Sequence, residues 1–335
     1  FPSSNQYCSF GLMTFLPIDT DPLKEYKPWA VVEQLEQFVT VRPIGRSVNA
    51  IPDDIDLLMI VQPGNLEDAT LYAIDQFVLR GGRAMVFVDP YSEAEAEMAA
   101  AMRRPPPSGG SDLPRLFDAW GIDYSPAKFV GDRQAATRVE APGRGGRPVI
   151  TDYVSWLGLT APLFNRDDVT TSELARIFVA AAGSLAKKEG AEIQFTPLIQ
   201  SSEHAMLIEA SKLRGQPDPV QLLNDFKSAA HPFTLAARVQ GSLKTAFPDG
   251  APKAEQESKP EGEDKAAADS QPTAEHLSQS VGQANLIVVA DTDLLFQQAP
   301  VLGSPVDLVF GDDGGGTPAV VAHVAGFITF RRPRP

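Results

Sequence analysis

Three aspartates lie where an α/β protein usually keeps its chemistry, directly after apolar runs typical of buried strands. Asp89 follows residues 83–88, and Asp291 and Asp293 follow residues 285–290. Ligand-binding groups gather at the carboxyl ends of parallel strands, and a DxD pair of carboxylates can hold a cation. Aspartates at strand ends also cap the helices that follow, which is the favoured interpretation here. The three remain candidate ligand-binding residues.

The usual signatures of catalysis are missing. The sequence contains no GxxxxGK[ST] phosphate loop, and the segment after the first predicted strand reads LPIDTDPLKEYKPW, without a GxGxxG dinucleotide fingerprint. Hydrolases and amidotransferases with similar sheets present a nucleophile on a sharp elbow after a central strand. The comparable position carries Asp89 followed by Pro90, with no Ser or Cys. We therefore predict no catalytic residue and no enzyme activity.

Metal ions, cofactors and nucleic acids are not expected partners. The histidines, His204, His231, His276 and His323, lie far apart and form neither HxH nor HExxH. The 43 acidic residues outnumber the 29 basic ones and give a net charge of −14, which repels a phosphate backbone. One alternative is kept open, a metal-dependent hydrolase that uses Asp291 and Asp293.

The hydrophobic pattern of residues 55–88 predicts a strand, a helix and a strand. Residues 55–61 (IDLLMIV) form a continuous apolar run, residues 66–80 are amphipathic, and Gly81 and Gly82 end the helix before residues 83–88. This spacing indicates a parallel crossover. We predict that residues 1–124 form an α/β domain with a doubly wound, mostly parallel sheet, flavodoxin-like in type.

The rest of the chain is less regular. Residues 125–310 are predicted as a second, α+β domain of short strands, including residues 175–182, whose composition also permits a helix. Within it, residues 248–279 have almost no large apolar side chains and are predicted to be a disordered acidic insertion. Residues 311–335 form a poorly patterned tail.

An ordered series of segments resembles one known family. IPDDIDLLMIVQP and LYAIDQFVLRGGRAMVFVDP resemble the soluble auxiliary component of gliding-motility-type (GldG-like) ABC transport systems. Further matches follow in the same order: LPRLFDAWGIDYSPAKFVGD, FTPLIQSS, HPFTLAARVQG and HLSQSVGQANLIVVADTDLL. The resemblance spans about residues 9–296, and the tail after LLFQQAP departs from the family pattern.

The resemblance implies a class I amidotransferase-like domain that has lost its nucleophile, so no catalytic residue is carried over. It also implies an extracytoplasmic protein, the soluble part of a longer chain tethered by flanking membrane segments beside an ABC permease and an ATPase. We expect a non-catalytic auxiliary subunit that binds or scaffolds at the permease, on the periplasmic face of the inner membrane. A glycan or polymer is a further candidate ligand. A stand-alone solute- or carbohydrate-binding domain is the first alternative.

Overall fold

The computed structural model describes residues 9–16, 30–105, 107, 109–142, 147–215, 217–252 and 275–295. Its helices are α1 (Ala30–Leu35), α2 (Asp68–Leu79), α3 (Glu93–Ala101), α4 (Pro114–Trp120) and α5 (Pro219–Asn224). Its strands are β1 (Ser9–Thr14), β2 (Thr40–Pro43), β3 (Leu57–Val61), β4 (Arg83–Phe87), β5 (Ile122–Tyr124), β6 (Lys128–Asp132), β7 (Ala136–Pro142), β8 (Pro148–Thr160), β9 (Arg176–Ala180), β10 (Leu185–Lys187), β11 (Ile193–Gln200), β12 (Ala205–Glu209), β13 (Thr234–Gly241) and β14 (Ala284–Val289).

The largest sheet has nine strands in the order β2-β1-β3-β4-β14-β13-β10-β5, with β11 paired to β13. The strands from β2 to β14 in this order run parallel, and the remaining pairs are antiparallel. Every residue of β3 is buried, as expected for an apolar run in a parallel strand covered on both faces. The predicted class, a mixed α/β protein with a large, mostly parallel sheet, is confirmed.

Alternate residues of the parallel strands face two different cores. On one face, Leu57, Met59 and Val61 pack in a cluster with residues of α1, β8 and β9. On the other face, Leu58 and Ile60 pack with residues of α2 and α4. Each face of the sheet is therefore covered, although the doubly wound, flavodoxin-like subdivision stays a prediction.

Strands from both sides of position 124 share this sheet. β14 pairs in parallel with β4, with Val289 opposite Phe87, and β10 pairs with β5, with Leu185 opposite Tyr124. The limits predicted for two domains, 1–124 and 125–310, therefore do not separate two sheets. They stay predictions as domain limits.

The smaller sheets come from the predicted α+β region. β7, β8 and β9 form a three-stranded antiparallel sheet, and β6 pairs with β12. The interpretation of residues 175–182 as a strand agrees with β9. The strands β5, β7 and β10 were not predicted. β5 and β10 have only three residues each, whereas the alternation of polar and apolar residues in β7 is a strand signal that was overlooked.

Both stems of the predicted insertion 248–279 are fastened to α2. The Gln76 side chain accepts a hydrogen bond from Leu277 N (2.7 Å) and donates one to Leu277 O (3.0 Å). The buried Asp75 carboxylate accepts from Thr245 Oγ1 (2.6 Å) and Ala246 N (3.1 Å). Leu277, near the C-terminal end of the predicted insertion, is therefore held on α2, while disorder of the insertion as a whole stays a prediction. Residues 253–274 and the tail 311–335 lie outside the described residues.

No helix in the described part of the chain is long and apolar enough to cross a membrane.

Candidate functional site at the carboxyl ends of the parallel strands

The three predicted aspartates come together at one edge of the large sheet. Asp89 follows β4, and Asp291 and Asp293 follow its parallel neighbour β14, so adjacent strands deliver all three. Their exposed fractions are 0% for Asp89, 0% for Asp291 and 6% for Asp293. We call this buried group the aspartate joint, because each carboxylate connects separate segments of the chain.

Asp89 connects the loops that follow β4 and β14. Its Oδ1 accepts a hydrogen bond from Tyr91 N (2.9 Å), and its Oδ2 accepts from Thr292 N and Thr292 Oγ1 (both 2.8 Å). Thr292 lies between the two other aspartates of the joint. The carboxylate therefore fixes the position of one strand end relative to the next.

Asp291 connects the large sheet to the three-stranded sheet. Its Oδ2 accepts a hydrogen bond from Ala180 N (2.8 Å), at the end of β9. Its Oδ1 accepts from Leu294 N (2.7 Å) and so caps the 3₁₀ turn Asp293–Leu295. One side chain thus holds both the turn after β14 and a neighbouring sheet.

Asp293 caps the N-terminus of α3. Its Oδ2 accepts from Glu93 N (2.8 Å), and its Oδ1 accepts from Ala94 N (2.9 Å) and Ser92 Oγ (3.2 Å). A carboxylate at this end of a helix satisfies free N–H groups and interacts favourably with the helix dipole. Capping was the favoured interpretation, but the capped helix precedes Asp293 by 200 positions instead of following it.

Two hydroxyls link Asp89 to Asp293 in a continuous chain of hydrogen bonds. Thr292 Oγ1 lies 2.8 Å from Asp89 Oδ2 and 3.2 Å from Ser92 Oγ, which lies 3.2 Å from Asp293 Oδ1. All four side chains are buried. The two carboxyl groups are thus connected through groups that can both donate and accept a proton.

Burial makes these carboxyl groups hard to ionise. Burial, with repulsion from Asp293 second, raises the pKa of Asp89 and of Asp291 well above the ordinary value. Burial also raises the pKa of Asp293 to about 6 and that of Glu93 to about 7. The Glu93 carboxylate accepts a weak hydrogen bond from Trp156 Nε1 (3.4 Å). Asp293 of the joint and the neighbouring Glu93 can therefore gain or lose a proton near neutral pH.

The chain's own backbone covers this edge of the sheet. Ser111 N donates to Asp89 O (2.8 Å), and Asp89 N donates to Ser111 Oγ (2.9 Å). A Cβ atom at Gly110 would lie 2.5 Å from Asp89 O, so this close approach requires glycine. Gly183 N donates to Ala290 O (2.6 Å) and covers the end of β14 in the same way.

The sharp turn after a parallel strand lies at Gln62 and not at Asp89. Gln62 directly follows β3 and has a left-handed backbone (φ 50°), which is strained for a residue with a side chain. Its amide accepts from Ser111 Oγ (2.8 Å) and donates to Glu95 Oε2 (2.8 Å). The position expected for a nucleophile after β4 is therefore not an elbow, and the strained residue carries an amide.

The joint does not offer a cation an open set of ligands. Each of the six carboxylate oxygens of Asp89, Asp291 and Asp293 accepts at least one hydrogen bond from the protein. In the described part of the chain, no group of three or more His, Cys, Asp and Glu side chains is arranged to hold a metal ion. The alternative of a metal-dependent hydrolase gains no support from this geometry.

Sequence reasoning missed several residues that surround the joint. Ser92 and Glu95 stand three positions apart before an Ala-rich run, which is the pattern of a helix start, and Glu95 N does donate to Ser92 Oγ (3.3 Å). That signal was available. The contribution of Ala180 is a backbone N–H, which leaves no mark on the sequence. Tyr124, whose buried hydroxyl has no hydrogen-bond partner among the described residues, also had no local signal.

The described histidines do not belong to this site. His204 N donates to Ser202 Oγ (3.0 Å), His231 packs on Phe233 with ring centroids 4.5 Å apart, and His276 stacks on Tyr72 at 5.8 Å. That the histidines form neither HxH nor HExxH is read from the sequence itself, and the structure does not test it. His323 lies outside the described residues.

Comparison with known proteins places the chain in a family. Similar solved structures include the mmIFT52 N-terminal domain (TM-score 0.46, 8% identity, covering 97% of this chain and 100% of that one). Another is a thua-like protein from Bacteroides uniformis ATCC 8492 (TM-score 0.31, 10% identity, covering 71% and 80%). Both TM-scores lie below 0.5. No curated protein matches. The sequence profile described as "ABC-type uncharacterized transport system" matches residues 13–317, and the chain therefore belongs to this family of auxiliary components of ABC-type transport systems.

Proposed function

We propose that this protein is a non-catalytic auxiliary subunit that acts by binding or scaffolding at the permease of an ABC-type transport system. The family supports the setting, an ABC-type transport system. The observation that carries the non-catalytic part is the state of the carboxyl edge of the parallel strands. There, the six oxygens of the three aspartates accept hydrogen bonds from the chain itself.

The proposal includes several finer statements. The parallel part of the sheet is a doubly wound, amidotransferase-like domain without a nucleophile, of the gliding-motility type. Gln62 supports this, since the strained position after β3 carries an amide that cannot serve as a nucleophile. The protein acts at the extracytoplasmic, periplasmic face of the inner membrane as the soluble part of a membrane-anchored protein. Its partners are the permease and the ATPase, and a glycan or polymer is its candidate ligand.

Co-purification tests the proposal. The product of the whole gene is expressed with the permease and ATPase genes of its transport system, and an affinity tag on the ATPase recovers the complex in mild detergent. We expect the auxiliary protein to elute with both subunits when the permease is present and to be lost when the permease gene is omitted. Recovery of permease and ATPase without the auxiliary protein would overturn the proposal.

Mutations at the joint separate this function from catalysis. Asp291→Ala and Asp293→Ala should change stability, and any variant that stays folded should still assemble with the permease. A hydrolytic activity of the wild-type protein that disappears in both variants, with folding intact by circular dichroism, would favour the metal-dependent hydrolase instead.

Protease treatment of spheroplasts tests the location, because an extracytoplasmic protein is digested while the ATPase is protected.

A further inference from the structure

We propose that the aspartate joint is a proton-operated latch, which fastens α3 and β9 to the carboxyl edge of the large sheet when it is protonated and loosens as it loses protons. The latch is a property of this fold and does not depend on the transport role. The elements that it releases are the N-terminus of α3 and the end of β9, and the ligand that it binds is the proton.

The joint is the place where three separate elements meet. Asp293 holds the first amides of α3 through Glu93 N and Ala94 N, and Asp291 holds the end of β9 through Ala180 N. Asp89 holds the strand ends together through Thr292. A change in the charge of these carboxyl groups therefore acts at once on a helix, a turn and a second sheet.

The groups that face the joint are mostly acidic or neutral. They come from every element packed around it: Glu93, Glu95 and Glu97 of α3, Tyr91 before it, Asp112 before α4, Tyr124 of β5, Tyr153 of β8 and Arg214, which lies near Tyr91. In the described part of the chain, no ion pair joins a cation to Asp89, Asp291 or Asp293. Full ionisation would therefore place like charges together in a buried space.

The hydroxyl chain shows where a bound proton is shared. Asp89 and Asp293 are connected through Thr292 Oγ1 and Ser92 Oγ, each of which can donate towards either carboxyl group. A protonated Asp89 can donate from Oδ2 to Thr292 Oγ1, which then donates to Ser92 Oγ, while Ser92 Oγ donates to Asp293 Oδ1. Both carboxyl groups stay hydrogen-bonded with only one negative charge between them.

The pH window follows from the direction of the pKa shifts. Unfolded Asp and Glu titrate near ~4. In the folded protein, burial raises the pKa of Asp293 to about 6 and that of Glu93 to about 7. A raised pKa means that the stabilising contribution is fully present below ~4 and is lost as the pH rises through 6 and 7. Burial thus outweighs the hydrogen bonds from Ala94 N and Glu93 N, which favour the charged form of Asp293, and the latch is closed in mild acid and weakened above neutral pH.

Equilibrium unfolding of the full chain tests the latch. Urea titrations at pH 5, 6, 7 and 8 and constant ionic strength give the folding equilibrium constant at each pH. From Asp293 alone we expect this constant to fall about tenfold between pH 5 and pH 8. The same samples, analysed by hydrogen exchange corrected for intrinsic rates, should show growing exposure of peptides that contain Ala180 and residues 93–94. Stability that is constant or rises from pH 5 to pH 8 would overturn the proposal.

Three variants assign the effect to the joint. Asp293→Asn removes the titrating group and should flatten the pH profile. The new amide NH₂ at this position would have to face a backbone N–H, so this variant can also lose stability for that reason. Glu93→Gln is therefore made as a second variant, because it keeps an acceptor for Trp156 Nε1. It should flatten the upper part of the profile, between pH 6 and pH 8. Asp132→Asn is the control, since Asp132 is a buried carboxylate with its own donors outside the joint, and it should keep the wild-type slope. A wild-type slope in both joint variants would refute the latch.

Discussion

Two carboxylate sites in this molecule have opposite electrostatic environments. In the aspartate joint, Asp89, Asp291 and Asp293 are buried with other carboxyl groups and accept hydrogen bonds from backbone amides and hydroxyls. At the second site, Asp168 forms a two-point ion pair with Arg238 of β13, with Nε–Oδ2 and Nη2–Oδ1 distances of 2.7 and 2.8 Å. Their side chains are only 12% and 10% exposed.

The partner decides the sign of the pKa shift at each site. Burial alone would raise the pKa of Asp168, but the hydrogen bonds from Arg238 and Thr170 outweigh it and lower the pKa to about 2. Among the described residues no cation pairs with the joint to oppose burial, and the pKa of Asp293 rises to about 6. Folding therefore favours the charged form of one carboxyl group and the neutral form of the other.

Breaking the ion pair should have the largest effect. Arg238→Met leaves the Asp168 charge buried without its guanidinium, and Arg238 also donates to Asn285 Oδ1 (3.0 Å). Removal of one partner of a buried pair costs about 3–5 kcal/mol. Urea unfolding at pH 7 measures the loss.

The double variant Arg238→Met with Asp168→Asn is the matched control. It removes the stranded charge, so part of the lost stability should return. A double variant that is no more stable than Arg238→Met alone would show that packing of the arginine side chain dominates, and not its charge.

Removing a cap from the joint should have the next largest effect. Asp293→Ala leaves Glu93 N and Ala94 N without their acceptor in a buried place, at a cost of about 2–3 kcal/mol. Asp218 is the matched exposed cap, since its Oδ1 accepts from Val220 N and Gln221 N at the start of α5. Asp218→Ala should cost about 1 kcal/mol. Equal losses in the two variants would contradict the idea that burial distinguishes the joint.

The two sites also differ in how far the sequence could predict them. Parallel strands such as β3 and β4 read as apolar runs, and their carboxyl ends must lie side by side, so the meeting of Asp89 with Asp291 and Asp293 followed from local patterns. The pairing of Asp168 with Arg238 spans 70 positions between a loop and β13, and no local pattern joins them. Contacts of this kind depend on the packing of the whole chain.

The same distinction explains what local patterns could not show of the fold. The change of pattern after residue 124 predicted a domain boundary, and no periodicity indicated that β14 pairs with β4. Composition alone predicted disorder at Leu277. Its hydrogen-bond partner Gln76 lies 201 positions away, so no local pattern indicated this contact. Local elements were predictable and long-range pairing was not.

Acid titration should reveal the ion pair as a smaller effect. The lowered pKa of Asp168 means that its stabilising contribution is present above ~4 and is lost as the pH falls towards 2. The wild-type protein should lose up to about 1 kcal/mol more stability than Asp168→Asn between pH 5 and pH 3, after allowance for solvent screening. Urea unfolding across this range checks it. Parallel profiles for the two proteins would show that Asp168 does not respond to acid as its ion pair requires.

The smallest effect is expected where an ion pair has neither burial nor close geometry. Arg138 and Asp152 pair across β7 and β8 at 3.8 Å, with side chains 77% and 37% exposed. Such pairs contribute about 0–1 kcal/mol, so Arg138→Ala should change the free energy of unfolding by less than about 0.5 kcal/mol. Urea unfolding at low and high salt measures it, and salt should remove what remains. A loss as large as that of Arg238→Met would mean that burial does not separate the strong carboxylate sites of this protein from the weak ones.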